Sequence, residues 1–153
     1  MEGGSAAAWC RAIPAHTESI VRSPKPLTKA EYRIIQKHPL KGEEILAPIS
    51  FMRRHMYLVR SHHERWDGKG YPDGLAGDAI PLGAQIVAIA DAFDAMTSSR
   101  PYRKGMPPRQ AAREIEKNAG IQFSRHVADA FMAVFESTVT PANSSDIANT
   151  IIP

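Results

Sequence analysis

Only one cysteine occurs among the 153 residues, so no disulfide can close within the chain, and Cys10 alone says little about compartment. Long apolar runs are missing too. The most hydrophobic stretch, Ile80 to Met96, is broken by Gln85 and Asp91. It falls short of the roughly 20 apolar residues a bilayer crossing needs. The N-terminus lacks a basic region followed by an apolar core, which argues against a secretory leader. A reduced, cytoplasmic setting is the expectation. No convincing run of alternating apolar and polar residues argues for a strand. The net charge of +3 is mild, and DNA is not an expected partner.

What is present describes a helical domain. A hydrophobic share of 43% and a charged share of 23% are ordinary for a globular chain long enough for one core. Residues 1–19 show no sustained periodicity and are expected to be irregular. Thr28, with Glu31 three positions on, predicts a capping box at the start of a first helix. Pro39 interrupts that helix or starts another, and Leu40 to Leu46 forms a second segment. A third helix is expected from Ile49 into His62 and His63. Gly68, Gly70, Pro72, Gly74 and Gly77 make 67–79 a structured loop. A fourth helix runs from near Pro81 to about Ser98. Its apolar residues cover much of the circumference, the pattern of a buried helix. Pro107 and Pro108 open a fifth helix that Asn118-Ala119-Gly120 closes. A sixth spans about Ser124 to Glu136. The tail, 137–153, is expected to be disordered. The expected fold class is all-α.

Chemistry concentrates in His62–Gly74, HHERWDGKGYPDG. Neighbouring histidines on a helix point roughly 100° apart. One helix end can thus offer imidazoles to two metal ions, or one to a metal and one to substrate. Neutral imidazole with carboxylate suits iron, manganese or zinc. Asp91 sits in an otherwise apolar helix and needs a partner there, which a metal or a histidine would supply. Asp94, one turn on, is a supporting or capping group, and His38 is a third candidate imidazole. Glu64 and Asp67 are suited to hold the turn or orient a histidine. Arg100, Arg103 and Lys104 form a basic cluster, for which a solvated loop is the plain alternative. A histidine pair taken alone is more often structural than metal-binding. His55 and His126 lack a comparable context.

Three segments together, HHERWDGKGYPDG, IPLGAQIVAIADAFDAMTSSRPYRK and AGIQFSRHVADAF, closely resemble the HD-GYP subfamily of the HD superfamily, whose GYP is Gly70-Tyr71-Pro72 here. The preceding LTKAEYRIIQKHPLKGEEIL resembles that family's first half, so the likeness covers about residues 20–136. The resemblance implies an all-α, HD-domain-like helical bundle and a metal-dependent phosphodiesterase. Such enzymes hydrolyse cyclic di-GMP, a bacterial second messenger, to a linear dinucleotide or GMP, using two or three metal ions, commonly iron or manganese. It implies metal ligation by His38, His62, His63 and Asp91. It also places Tyr71, Arg100, Arg103 and, more weakly, Lys104 near the dinucleotide. Gly70 and Pro72 belong to the motif itself. Diguanylate cyclase domains are implied as protein partners.

One departure stands out. A segment resembling HDIGKIGIP precedes the family's matching region. Counting back from Ile20-Val21, the His-Asp doublet falls on Trp9 and Cys10 and the lysine on Ile13. Without the bridging aspartate, the chain is expected not to hold a normal binuclear centre, and the bundle is expected to be incomplete at its N-terminus. Apolar helix faces would then be uncovered and favour self-association. The readings carried forward are an impaired phosphodiesterase, a non-catalytic dinucleotide- or protein-binding module of signal transduction, and an inactive gene fragment.

Overall fold

Helix formation begins where the sequence caps it. In the computed structural model, which describes residues 27–99 and 104–139, helix α1 (Lys29–Ile35) starts behind Thr28. The Glu31 amide donates to the Thr28 hydroxyl at 3.2 Å, and the Thr28 amide donates back to the Glu31 carboxylate at 2.8 Å. The capping box is therefore complete. Pro39 does not break a helix; it lies in the first turn of α2 (His38–Leu46), where its missing N–H costs nothing.

The expected third helix is two elements. A 3-10 turn, Ser50–His55, leads into a short α3, Met56–Ser61, which ends before the histidine pair. His62 caps α3 and His63 lies beyond it. Helix α4 (Leu82–Thr97) follows Pro81, α5 (Pro108–Lys117) follows Pro107, and α6 runs Arg125–Val139. The last helix therefore continues through residues expected to belong to the tail. Gly120 takes φ +81° just past α5, a backbone conformation that glycine adopts without strain. No strand occurs among the described residues; Ala119 and Phe123 form an isolated bridge. None of the described helices is long and apolar enough to cross a membrane.

The core lies where α4, α5 and α6 meet. Ile89, Ile115, Ala119, Phe123, Val127 and Ala128 are buried together, with Phe93 and Phe131 packed against them. The Phe93 and Phe131 rings are 5.3 Å apart. Helix α3 packs on α4 and carries α2 on its other side. One expectation fails here. Helix α4 is not buried all round, because Leu82 (59% exposed) and Ile86 (52%) face outward. Its neighbours among the described residues cover one side only. Residues 1–26, Arg100, Arg103 and 140–153 lie outside the described residues, and with them the positions of Trp9 and Cys10.

Ile115 is fully enclosed, so Ile115→Ala should lower unfolding stability by about 2–5 kcal/mol in urea denaturation. Val134→Ala on the exposed side of α6 should change it by less than about 0.5 kcal/mol. Equal losses at both positions would place the core elsewhere.

Candidate metal centre and motif loop

Two helix ends bring three histidines to one point. His38 opens α2 directly after α1, and its Nδ1–H donates to the Ile35 carbonyl at 2.8 Å. His62 closes α3, and its Nδ1–H donates to the Val59 carbonyl at 2.7 Å. A carbonyl can only accept, so each Nδ1 carries the proton and each neutral ring keeps its lone pair on Nε2. These two Nε2 atoms face each other at 3.3 Å, and His63 Nε2 lies 3.1 Å from that of His38. One ligand nitrogen from each ring lies within 4.8 Å of the others. His62 and His63 thus converge on His38 rather than diverging toward separate ions. Their rings tilt together at 4.0 Å because the backbone turns after α3 instead of continuing as helix.

Burial disfavours protonating His38 and His63. Burial, and then the charges His62 and His38 would carry, push the His63 imidazole down to about 3. Burial also holds His38 below its ordinary value, against the opposing effects of the Ile35 carbonyl and Asp91. Burial thus favours neutral His38 and His63, and the far nitrogens of His38 and His62 are tied to backbone. Three imidazole nitrogens within 4.8 Å of one another are a donor set that can hold a divalent cation, so the residues fit a metal ion. Asp91, on α4, is near enough for its charge to favour protonated His38, but it does not belong to the 4.8 Å group. Asp94 accepts from the Ser98 hydroxyl at 3.1 Å near the end of α4. Lys104 is exposed, as are His55 and His126.

The motif loop is built around a buried carboxylate. Glu64 accepts the amides of Asp73, Gly74 and Leu75 at 2.7, 3.1 and 3.0 Å, clamping the turn after the GYP sequence. Gly70 passes so close to this strand of chain that an added Cβ would lie 2.5 Å from Glu64 Cα and 2.6 Å from the His63 carbonyl. No side chain fits there. The Tyr71 amide donates to that same carbonyl at 3.2 Å, and the Tyr71 ring settles 4.9 Å from His63. Asp67 accepts from Arg65 through both oxygens, at 3.0 and 2.8 Å, and this pairing holds its carboxyl at about 2. The two therefore stay paired across the neutral range.

Sequence spacing had not marked two further braces. Arg60 donates to both Asp73 oxygens at 2.7 Å and to Glu43 at 2.5 Å, tying α2, α3 and the loop together. Its contribution is positional, because exposed pairs stabilise little. Arg65 also donates to the Gln122 side chain at 3.1 Å, while the Trp66 and Asp67 amides donate to the Gln122 and Ile121 carbonyls. The motif is thereby anchored to the turn between α5 and α6. These partners are far apart in sequence, and no local signal announces them.

A family model described as an HD domain matches residues 11–127. The chain belongs to the HD domain family. Its Gly70-Tyr71-Pro72 motif makes it HD-GYP in type. The chain is 43% identical over 117 residues to a cyclic di-GMP phosphodiesterase of Thermotoga maritima, a match covering 75% of the chain. It is 40% identical over 123 residues to a cyclic di-GMP phosphodiesterase response regulator of Xanthomonas campestris, covering 79%. In each case the match spans 32% of the relative's own length. The crystal structure of a cyclic GMP-AMP-specific phosphodiesterase of Vibrio cholerae superposes with a TM-score of 0.58 at 19% identity, covering 84% of this chain and 33% of that one. That last likeness concerns the fold.

The depressed His63 imidazole has a consequence for stability. Below about pH 6.5 the unfolded chain takes up a proton that folded His63 does not accept until about pH 3. The metal-free HD domain should therefore lose stability as pH falls through that window. His63→Asn should flatten the loss in urea melts run from about pH 7 to about pH 4. An unchanged slope would show that His63 is not the group responsible.

Proposed function

We propose that this HD domain carries a metal-dependent cyclic dinucleotide site of the phosphodiesterase kind, with hydrolysis impaired in this chain. The observation that carries the reading is the convergence of three imidazoles beside the GYP loop. Its curated relatives named as cyclic di-GMP phosphodiesterases support the ligand class. In this reading His38, His62 and His63 hold the cation, iron or manganese, and Asp91 approaches it from α4. A bound divalent cation would polarise a phosphoryl oxygen and acidify water. His38 and His62 keep their Nε2 lone pairs turned inward by donating from Nδ1 to backbone. Tyr71 offers a ring beside His63 on which a base can stack. Arg100, Arg103 and Lys104 supply cations for phosphate charge.

The doublet positions argue for impairment. Trp9 brings an indole N–H donor, and Cys10 brings no oxygen ligand, so neither replaces an imidazole and a bridging carboxylate. Recognition without turnover is the second reading, favoured by this substitution. The outward apolar residues of α4 are consistent with docking of a second copy or a diguanylate cyclase domain.

Hydrolysis and binding of cyclic di-GMP by manganese- or iron-loaded protein test the proposal. We expect measurable binding and turnover at least about tenfold below that of a Trp9→His/Cys10→Asp variant. Asp91→Ala should abolish what turnover remains. Neither binding nor turnover in any of these proteins would contradict the proposal.

A further inference from the structure

An open groove of about 530 Å³ lies beside the imidazole cluster, between the α1–α2 junction and the GYP loop. Arg33, Gln36, Lys37 and Leu40 form one wall, and Tyr71 and Pro72 the other. Tyr71 joins this groove to the histidines. Its ring is 4.9 Å from His63 and meets Tyr32 edge-on at 6.3 Å. The cations in the groove differ from the two arginines of the motif region. Arg60 and Arg65 are both committed to carboxylates. Arg33 and Lys37 are exposed and make no ion pair among the described residues. Lys37 stands at the N-cap of α2, where the helix dipole disfavours a cation, so helix stability does not account for it.

We infer that Arg33 and Lys37 form an anion subsite for the second phosphodiester of a cyclic dinucleotide whose first phosphodiester lies at the imidazole centre. The inference rests on the cyclic dinucleotide reading above. Such a ligand carries two phosphates linked through riboses, and only one can occupy the hydrolytic centre at a time. The other keeps its charge and needs cations within reach. Two cations with no ion pair among the described residues face the same groove that opens past Tyr71, and the tyrosine ring supplies a stacking face between the two phosphate positions. Monophosphates have no second anion to place there. The groove therefore selects for dinucleotides over mononucleotides and inorganic phosphate.

Calorimetry on the full, metal-loaded chain tests this, using a hydrolysis-resistant phosphorothioate analogue of cyclic di-GMP, GMP and inorganic phosphate as probes. Arg33→Gln/Lys37→Gln should weaken the dinucleotide analogue by at least about tenfold and GMP or phosphate by less than about twofold. Metal content should not change. Because both side chains are exposed, the melting temperature should hold, and Arg33→Lys alone should retain most of the affinity. Dinucleotide affinity unchanged in the double variant would overturn the inference while leaving the dinucleotide reading intact. Equal weakening of all three probes would overturn it too, since that is a nonselective loss of charge. No binding of the dinucleotide by the unsubstituted protein would sink the dinucleotide reading, and the subsite with it.

Discussion

Three imidazoles turned toward one another are held there by the helix ends that carry them. Two of the rings have already given their only N–H to backbone carbonyls, so their facing nitrogens present lone pair to lone pair at 3.3 Å. Burial opposes protonation of His38 and His63. Everything around the cluster serves to keep it in place. The ends of α1 and α3 offer the carbonyls, α2 and α3 pack as neighbours, and α3 rests on α4. The resulting demand for a shared cation is the physical basis of the metal reading.

The motif loop depends on the same economy of groups. Glu64 follows His63 directly and spends its carboxylate on three amides of the turn that carries Tyr71 and Pro72. Gly70 lets the loop fold back against Glu64 and the His63 carbonyl. Arg60 fixes the far side of the turn, and Gln122 fixes the near side to the α5–α6 connection. The loop that flanks the metal centre is thus braced from both halves of the bundle.

How far this was legible in the sequence depended on how local each cause is. Thr28 and Glu31 act within one turn, and the prolines and Gly120 mark helix ends by their own backbone chemistry, so those boundaries were readable. The break at His55 was not. SFMRRHMYLVRS contains neither glycine nor proline, and its apolar spacing suits a 3-10 turn as well as an α-helix. Consequently the sequence alone predicts His62 and His63 on a helix, pointing apart. The outer face of α4 misled for a related reason, because apolar residues around a helix signal burial only where neighbours exist to cover them. His38 and His62 meet across 24 positions, and Arg60 meets Asp73 across 13. Periodicity carries no information about such pairings. The resemblance to HD-GYP proteins named the three histidines, and the packing of α2 on α3 explains why they meet.

X-ray absorption at the iron edge of the iron-loaded protein tests the central claim most directly. The account predicts a metal shell containing three imidazole nitrogens, falling to two in His38→Ala. A shell without imidazole, or one that His38→Ala leaves unchanged, would contradict it.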